Sequence, residues 1–206
     1  MKIYNFEAAP NGQRLAMFTR YKGLEIDTQP VDMANGEQLT EAYRAINPDC
    51  TVPALVLDDG TVLSQVIGQC VYLEELHPEK PLFGTTALEK AQVISWCHKL
   101  FNGLFTAIAS VLRNHSKAFE NRALPGPLDL PQIPEMVDRG RAQIHYFLPV
   151  IDAHLAENTW VAGDNISMAD IDLLVAIGFL GWVKETVPDN CSHLKAWHER
   201  ASAELG

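Results

Sequence analysis

The stretch Asn47-Pro48-Asp49-Cys50-Thr51-Val52-Pro53-Ala54-Leu55-Val56-Leu57 runs from a helix stop straight into a buried strand. Pro48 disfavours a helical conformation for Asn47, so whatever helix precedes ends there. Thr51 to Leu57 is rich in β-branched and aliphatic residues and reads as a strand. Asp58-Asp59-Gly60 then gives a hairpin turn into a second short strand, Thr61 to Leu63. Upstream, Lys2 to Phe6 alternates, with Ile3 and Asn5 on one face and Tyr4 and Phe6 on the other. Pro10-Asn11-Gly12 reads as a turn, followed by a helix on Leu15, Phe18 and Tyr21 that stops at Lys22-Gly23. Leu24 to Val31 reads as another strand. Leu39, Ala42, Tyr43 and Ile46 share one face of a second helix. A third runs from Gln65 to Leu76, before His77-Pro78. Strands alternating with helices imply a mixed sheet with helices on both faces.

The pattern changes after residues 79–86, a linker by composition. No further strand is evident. Ala87 to about Lys117 is helical, with Trp96, Leu100, Leu104, Ile108 and Leu112 in register. The proline-rich residues 124–134 form a loop. Glu135 to Glu157 is a helix in which Pro149 should introduce a kink. Ser167-x-x-Asp170 has the form of a capping box opening a buried helix, and Ser192 to Ala203 is amphipathic. The chain thus divides into an α/β part and an all-helical part.

The 206 residues carry 16 Lys and Arg against 26 Asp and Glu, a net charge of −10. Such a balance disfavours nucleic acid as a partner, and no polybasic patch points to a membrane surface. The N-terminal stretch has no signal-peptide pattern, and the longest apolar run, Ile171 to Val183, is too short to span a bilayer. Four separated cysteines read as reduced thiols in a cytoplasmic setting. The seven histidines show no metal-ligand spacing, so no metal is expected.

Three stretches together resemble the glutathione S-transferase superfamily. They are Asn47-Pro48-x-x-x-Val52-Pro53-Ala54-Leu55, Leu63-Ser64-Gln65 with Tyr72-Leu73-Glu74-Glu75-Leu76, and Gly163-Asp164-x-x-Ser167-x-Ala169-Asp170-Ile171. Their order and spacing match over essentially the whole chain. The resemblance implies a thioredoxin-like α/β domain (1–78), a linker (79–86) and an all-α C-terminal domain (87–206), assembled as a homodimer. It also implies a cytoplasmic detoxification enzyme with glutathione as co-substrate. The glutathione thiolate would be transferred to a small hydrophobic electrophile or would reduce a disulfide.

The family's glutathione residues carry over one by one. Pro53 would be cis, turning the backbone of Val52 outward to pair with the cysteinyl part of the tripeptide like an added strand. The γ-glutamyl carboxylate would rest on the N-terminus of the third helix, at Gln65 and Val66. Gln65 matches the family, but Val66 replaces a serine, so the backbone N–H is kept and the hydroxyl is lost. A hydrogen bond to a charged group contributes ~1.5–3 kcal/mol, so affinity should fall by one or two decades unless Ser64 compensates. Gln38 is the best match for the donor to the glycyl carboxylate; its other reading is a solvated helix residue.

The thiol needs help to ionise, because its free pKa is near 8.5. Most of the family supplies Tyr, Ser or Cys in the first turn of the first helix. Here Ala8-Ala9-Pro10-Asn11-Gly12-Gln13 offers none of them, and Tyr4 sits too early in the strand for more than an alternative. Ala-Pro-Asn-Gly is similar to the first turn of the nu-class and fungal-prion-like branch, in which an Asn amide donates to the sulfur and disulfide chemistry is favoured. That makes Asn11 the catalytic candidate, with helix capping as its other possible job. Ala9 stands where that class often has Thr. Cys50 places a thiol at the site's edge. Trp96, Lys99, Asn102, Gly103, Thr106 and Arg113 are candidates by position for the electrophile pocket. The missing hydroxyl and Val66 also suit a different class, a non-catalytic binding or regulatory protein of the same fold. An isomerase of the same fold lacks support, since no Ser-Ser-Cys first turn is present.

Overall fold

Successive residues of β1 (Lys2–Asn5) face two different layers, and this organises the first half of the chain. The computed structural model describes residues 1–206. One compact unit comprises Met1–Lys80 with Leu124–Leu128, and another comprises Pro81–Ala123 with Asp129–Gly206.

In the first unit the sheet has the order β2-β1-β3-β4. β2 (Asp27–Pro30) runs parallel to β1, β3 (Ala54–Val56) antiparallel to β1, and β4 (Val62–Leu63) antiparallel to β3. Ile3 and Asn5 are buried, and Asn5 bonds to Gly12 of α1 (Pro10–Lys22), which packs beside α3 (Val66–Leu76). Tyr4 and Phe6 point the other way, into a cluster with Val31, Tyr43 and Val52 beside α2 (Glu41–Arg44). The chain leaves α1 through Gly23 at φ +70°, a left-handed conformation that glycine adopts without steric cost. The Lys22 ammonium, buried there, bonds to the Glu74 carboxylate at 2.7 Å and to the Glu79 carbonyl at 2.9 Å, tying α1 to α3.

Several elements differ from the sequence reading, among them β3, which covers Ala54–Val56 rather than Thr51 to Leu57. α1 starts at Pro10 rather than after Gly12, because proline suits a first helical position where no N–H is needed. β2 begins at Asp27 rather than Leu24, because its ladder starts opposite Lys2, where β1 begins. The second helix is a 3-10 turn, Glu37–Leu39, and a separate single turn, α2. Thr40 divides them and accepts from the Tyr43 N–H at 3.3 Å. Ala42 is consequently exposed, while Gln38 and Tyr43 are buried.

The second unit is helical. α4 (Ala87–Leu100) passes through a π-turn, Phe101–Phe105, into α5 (Thr106–His115). The π-turn redirects the Asn102 carbonyl, which accepts from the Thr106 hydroxyl at 2.7 Å and the Gln143 amide at 2.5 Å. Gly103 is required there, since an added Cβ would stand 2.6 Å from the Phe147 ring. α6 (Glu135–Leu155) continues through Pro149, which lies on its exposed side. α7 (Met168–Leu180) is buried along most of its length, and α8 (Ser192–Leu205) contributes the fully buried Trp197. No helix is long and apolar enough to cross a membrane.

Asp170 is the polar centre of this unit. Its carboxylate accepts from the Val161 N–H, the Ser167 N–H, the Ser167 hydroxyl and the Trp197 indole, each at 2.9 Å. Burial raises its pKa, and the four donors oppose that shift. Asp170→Ala would leave those donors without an acceptor, so it should cost ~3–5 kcal/mol in urea unfolding. A second check uses the start of α4, where the N–H groups of Thr85 and Thr86 hold the Glu89 carboxyl down to about 2 from its ordinary 4.5. The stability that this contributes is complete above about pH 4.5 and is lost as pH falls towards 2. Accordingly, the gap in urea midpoint between the native chain and Glu89→Gln should close over that range.

Candidate functional site

Strand directions bring four distant segments to one end of the sheet. β1 leaves the sheet there into the start of α1, and β2, parallel to it, leaves into the segment that holds Gln38. β3 enters at the same end through Val52 and Pro53, and β4 leaves there through Ser64 into α3. Asn11, Gln38, Val52, Pro53, Gln65 and Val66 all belong to these four segments.

The centre of this end is a clamped bend. The Val52–Pro53 peptide is cis. The Thr51 carbonyl accepts from the Tyr43 hydroxyl at 2.7 Å and from the Asn47 amide at 2.8 Å. Burial pushes the Tyr43 hydroxyl up to about 12, so it stays protonated and donating. On the far side the Gln69 amide donates to the Pro53 carbonyl at 2.9 Å and to the Leu63 carbonyl at 2.7 Å. Between the clamps the Val52 N–H and C=O have no partner in the chain, while its side chain is buried against Val31 and Tyr43.

Asn11 is the second residue of α1. Ala9 occupies the capping position and offers no side-chain acceptor. Asn11 is therefore not the cap. Its Oδ1 accepts from the Arg14 guanidinium at 3.0 Å. A guanidinium only donates, so the oxygen must face it and the Nδ2 donor faces away. Gly12 follows because the turn is tight; a Cβ there would lie 2.2 Å from the Phe6 carbonyl oxygen. The first-turn N–H groups of α1 lack intrahelical acceptors, as in any helix, and the same holds for α3. Gln65 sits at the capping position of α3 with its side chain in no capping bond, and Val66 is buried behind it.

Three expectations are corrected by burial and bonding. Gln38 is 1% exposed, so it is not a solvated helix residue, and its Oε1 is enclosed without a partner. Ser64 donates to the Asp49 carboxylate at 3.0 Å, so its hydroxyl is committed elsewhere and does not replace the one missing at Val66. Cys50 is 2% exposed at φ +54°, so its thiol is shut away from the edge it was expected to occupy. Tyr4 meets Tyr43 edge-on at 6.3 Å, on the α2 side of the sheet.

The electrophile candidates of the second unit are spent in several ways. The Trp96 ring lies 4.2 Å from the His154 ring, tilted by 39°, and the Lys99 ammonium is 4.4 Å from its centroid. Asn102, Gly103 and Thr106 build the π-turn. Arg113 donates to the Arg122 carbonyl at 2.7 Å, and burial pulls its pKa down to about 10. Sequence reasoning missed Arg14 and Gln69. The one available signal was a long polar side chain on a helix face otherwise filled by Leu15 and Phe18, or by Cys70 and Leu73.

The family models for the glutathione S-transferase N-terminal and C-terminal domains match residues 8–76 and 106–204. Glutathione S-transferase 2 of Saccharomyces cerevisiae is 32% identical over 205 residues, covering 97% of this chain and 84% of that one. A disulfide-bond oxidoreductase of Escherichia coli is 24% identical over 201 residues, covering 95% and 87%. The crystal structure of a glutathione S-transferase domain-containing protein of Marinobacter aquaeolei superposes with a TM-score of 0.91 at 30% identity, over 100% of both chains. The chain belongs to the glutathione S-transferase family.

The clamp can be tested directly. Gln69→Leu keeps the volume but removes both donations, leaving the buried Pro53 carbonyl without its donor while Leu63 keeps its place in the ladder with Leu55. It should cost ~2–3 kcal/mol in chemical denaturation.

Proposed function

We propose that this chain is a glutathione-dependent enzyme. Glutathione lies along the end of the sheet described above, with its cysteinyl backbone on the Val52 N–H and C=O. Its γ-glutamyl carboxylate sits on the N-terminus of α3 at Gln65 and Val66, and its glycyl carboxylate lies towards the segment that holds Gln38, whose own side chain is enclosed. The single observation behind this reading is the free Val52 peptide, held between two clamps at the sheet end where α1 and α3 begin.

In this reading the thiol rests at the start of α1. The helix dipole and first-turn N–H groups favour the thiolate, and the Asn11 amide donates to it. The thiol proton leaves to solvent. The thiolate then attacks an electrophilic carbon and expels its leaving group, or attacks a disulfide sulfur. In the second case the first products are a mixed disulfide with glutathione and a released substrate thiolate. A second glutathione thiolate resolves that mixed disulfide to oxidised glutathione and a second substrate thiolate. The Asn11 carry-over and the oxidoreductase relative support the disulfide route. A cytoplasmic homodimer belongs to the same proposal. Ile94 and Phe101, seven residues apart on the α4 side, are 44% and 43% exposed and leave apolar surface for a second copy.

One observation favours the non-catalytic alternative: with Ser64 bonded to Asp49, no hydroxyl stands in for the one missing at Val66. Calorimetric titration with reduced and oxidised glutathione separates the readings. Binding together with turnover is expected. Asn11→Ala should lower kcat by about tenfold or more, the equivalent of ~1.4 kcal/mol, without shifting thermal unfolding. Val66→Ser should tighten glutathione by roughly ten- to a hundredfold. Binding without turnover on any electrophile or disulfide would leave the binding-protein reading. No heat from either ligand at millimolar concentration would sink both.

A further inference from the structure

β2 is the outermost strand of the sheet, and most of it is exposed. Between this strand, β1 and α1 lies a cleft of about 210 Å³. Its floor is apolar, formed by Ile3 and Leu15, both buried. Ile3 and Thr28 are register partners, so their side chains share the face that α1 flanks. The proposed glutathione site makes no use of this cleft.

The polar groups on its walls are mostly acceptors. The Thr19 hydroxyl donates to the Ala16 carbonyl and the Thr28 hydroxyl to the Ile26 carbonyl, each at 3.0 Å. Both therefore present only lone pairs to a ligand. Asn5 is 4% exposed, and its Nδ2 donates to the Gly12 carbonyl at 3.3 Å. A carbonyl only accepts, so the amide must face it with nitrogen, and Oδ1 is the end left over. That oxygen is enclosed and accepts from nothing in the chain. Buried acceptors are seldom left that way, so a donor entering the cleft has a group to claim.

The charges mark the two ends. α1 starts beside Asn5 and finishes at Lys22, near the end of the sheet where β2 begins opposite Lys2. Glu7, just past β1, thus stands at one end of the cleft and Arg20 at the other, both exposed. Arg20 is just over two helical turns beyond Gly12, ~12 Å along the axis. A single amino acid is too short to span them. A guanidinium carries five N–H donors, so a ligand carboxylate can share Arg20 with partners in the chain.

We infer that the cleft binds a zwitterion of dipeptide size. Its ammonium lies between Glu7 and Asn5, its carboxylate on Arg20, and an apolar side chain on Ile3 and Leu15. The peptide N–H meets the lone pairs of the two threonines. The Asn5 bond to Gly12 is long, and the amide oxygen swings onto the ammonium as it enters. The inference stands independently of the glutathione reading.

Calorimetric titration with glycylleucine tests it, beside N-acetylglycylleucine, which lacks the ammonium, and glycylleucinamide, which lacks the carboxylate. Glycylleucine should bind with a millimolar Kd or tighter, and each blocked form at least about fivefold more weakly. Glu7→Gln and Arg20→Gln alter exposed side chains and should leave thermal unfolding unchanged. Each should weaken glycylleucine by a similar factor. Glu7→Gln should make no difference to the acetylated probe, nor Arg20→Gln to the amide, because the matching ligand charge is already gone. No heat from glycylleucine at about ten millimolar would overturn the inference. So would blocked forms that bind as well as glycylleucine, or an affinity that neither substitution changes, since the probe would then lie elsewhere on the protein.

Discussion

Two carbonyls of one bend are held from opposite layers of the first unit, and the candidate site depends on that. Tyr43 and Asn47 take the Thr51 carbonyl from the α2 side, and Gln69 takes the Pro53 carbonyl from the α3 side. A buried carbonyl without a donor is costly, so each bond fixes the backbone as well as stabilising it. The peptide between them is left with its hydrogen-bonding groups free. The same Gln69 amide also reaches Leu63, which sets where β4 ends and where α3 begins. One side chain thus positions both the strand-like edge and the helix N-terminus of the proposed glutathione site.

The electrostatics follow from the same arrangement. α1 and α3 both start at this end of the sheet with no side-chain hydrogen bond at their capping positions. Most helices close such ends with Ser, Thr, Asp or Asn. Leaving two of them open at one sheet end creates a region suited to carboxylates and a thiolate. Arg14 adds direction: by occupying the Asn11 oxygen it leaves only the donor end of that amide for a ligand.

The second unit solves a different problem. α7 is apolar nearly all round, so it has little surface on which to satisfy a charged residue, yet Asp170 lies within it. Four donors from Val161, Ser167 and Trp197 converge on that carboxylate and join the loop before α7 to α8. At the π-turn, Gly103 lets the Phe147 ring approach the backbone, and the freed Asn102 carbonyl is taken up by Thr106 and Gln143. In both places a local departure from regular helix is matched by named partners on other elements.

Much of this was legible in the chain itself. The strand order of hydrophobic alternation, the Asp58-Asp59-Gly60 hairpin, the stop at Asn47-Pro48 and the Ser167–Asp170 helix start are local, because turn chemistry and side-chain periodicity act over a few residues. So is the identity of Asn11, Val52, Pro53, Gln65 and Val66 as candidates. Tertiary structure decided what those residues have available. β2 is shorter than its apolar run because β1 offers no ladder before Lys2. The long helix passes through a π-turn at Gly103, where the ring of Phe147, 44 positions further on, occupies the space of a Cβ. Ser64 is spent on Asp49, Cys50 is buried, Gln38 is enclosed, and Gln69 and Arg14 emerge as the residues that hold the site. Sequence by itself determined which groups the chain carries and which elements they sit on, since these are short-range properties. Only the tertiary structure decided which donors and acceptors remain free, because a hydrogen bond depends on where both of its partners lie.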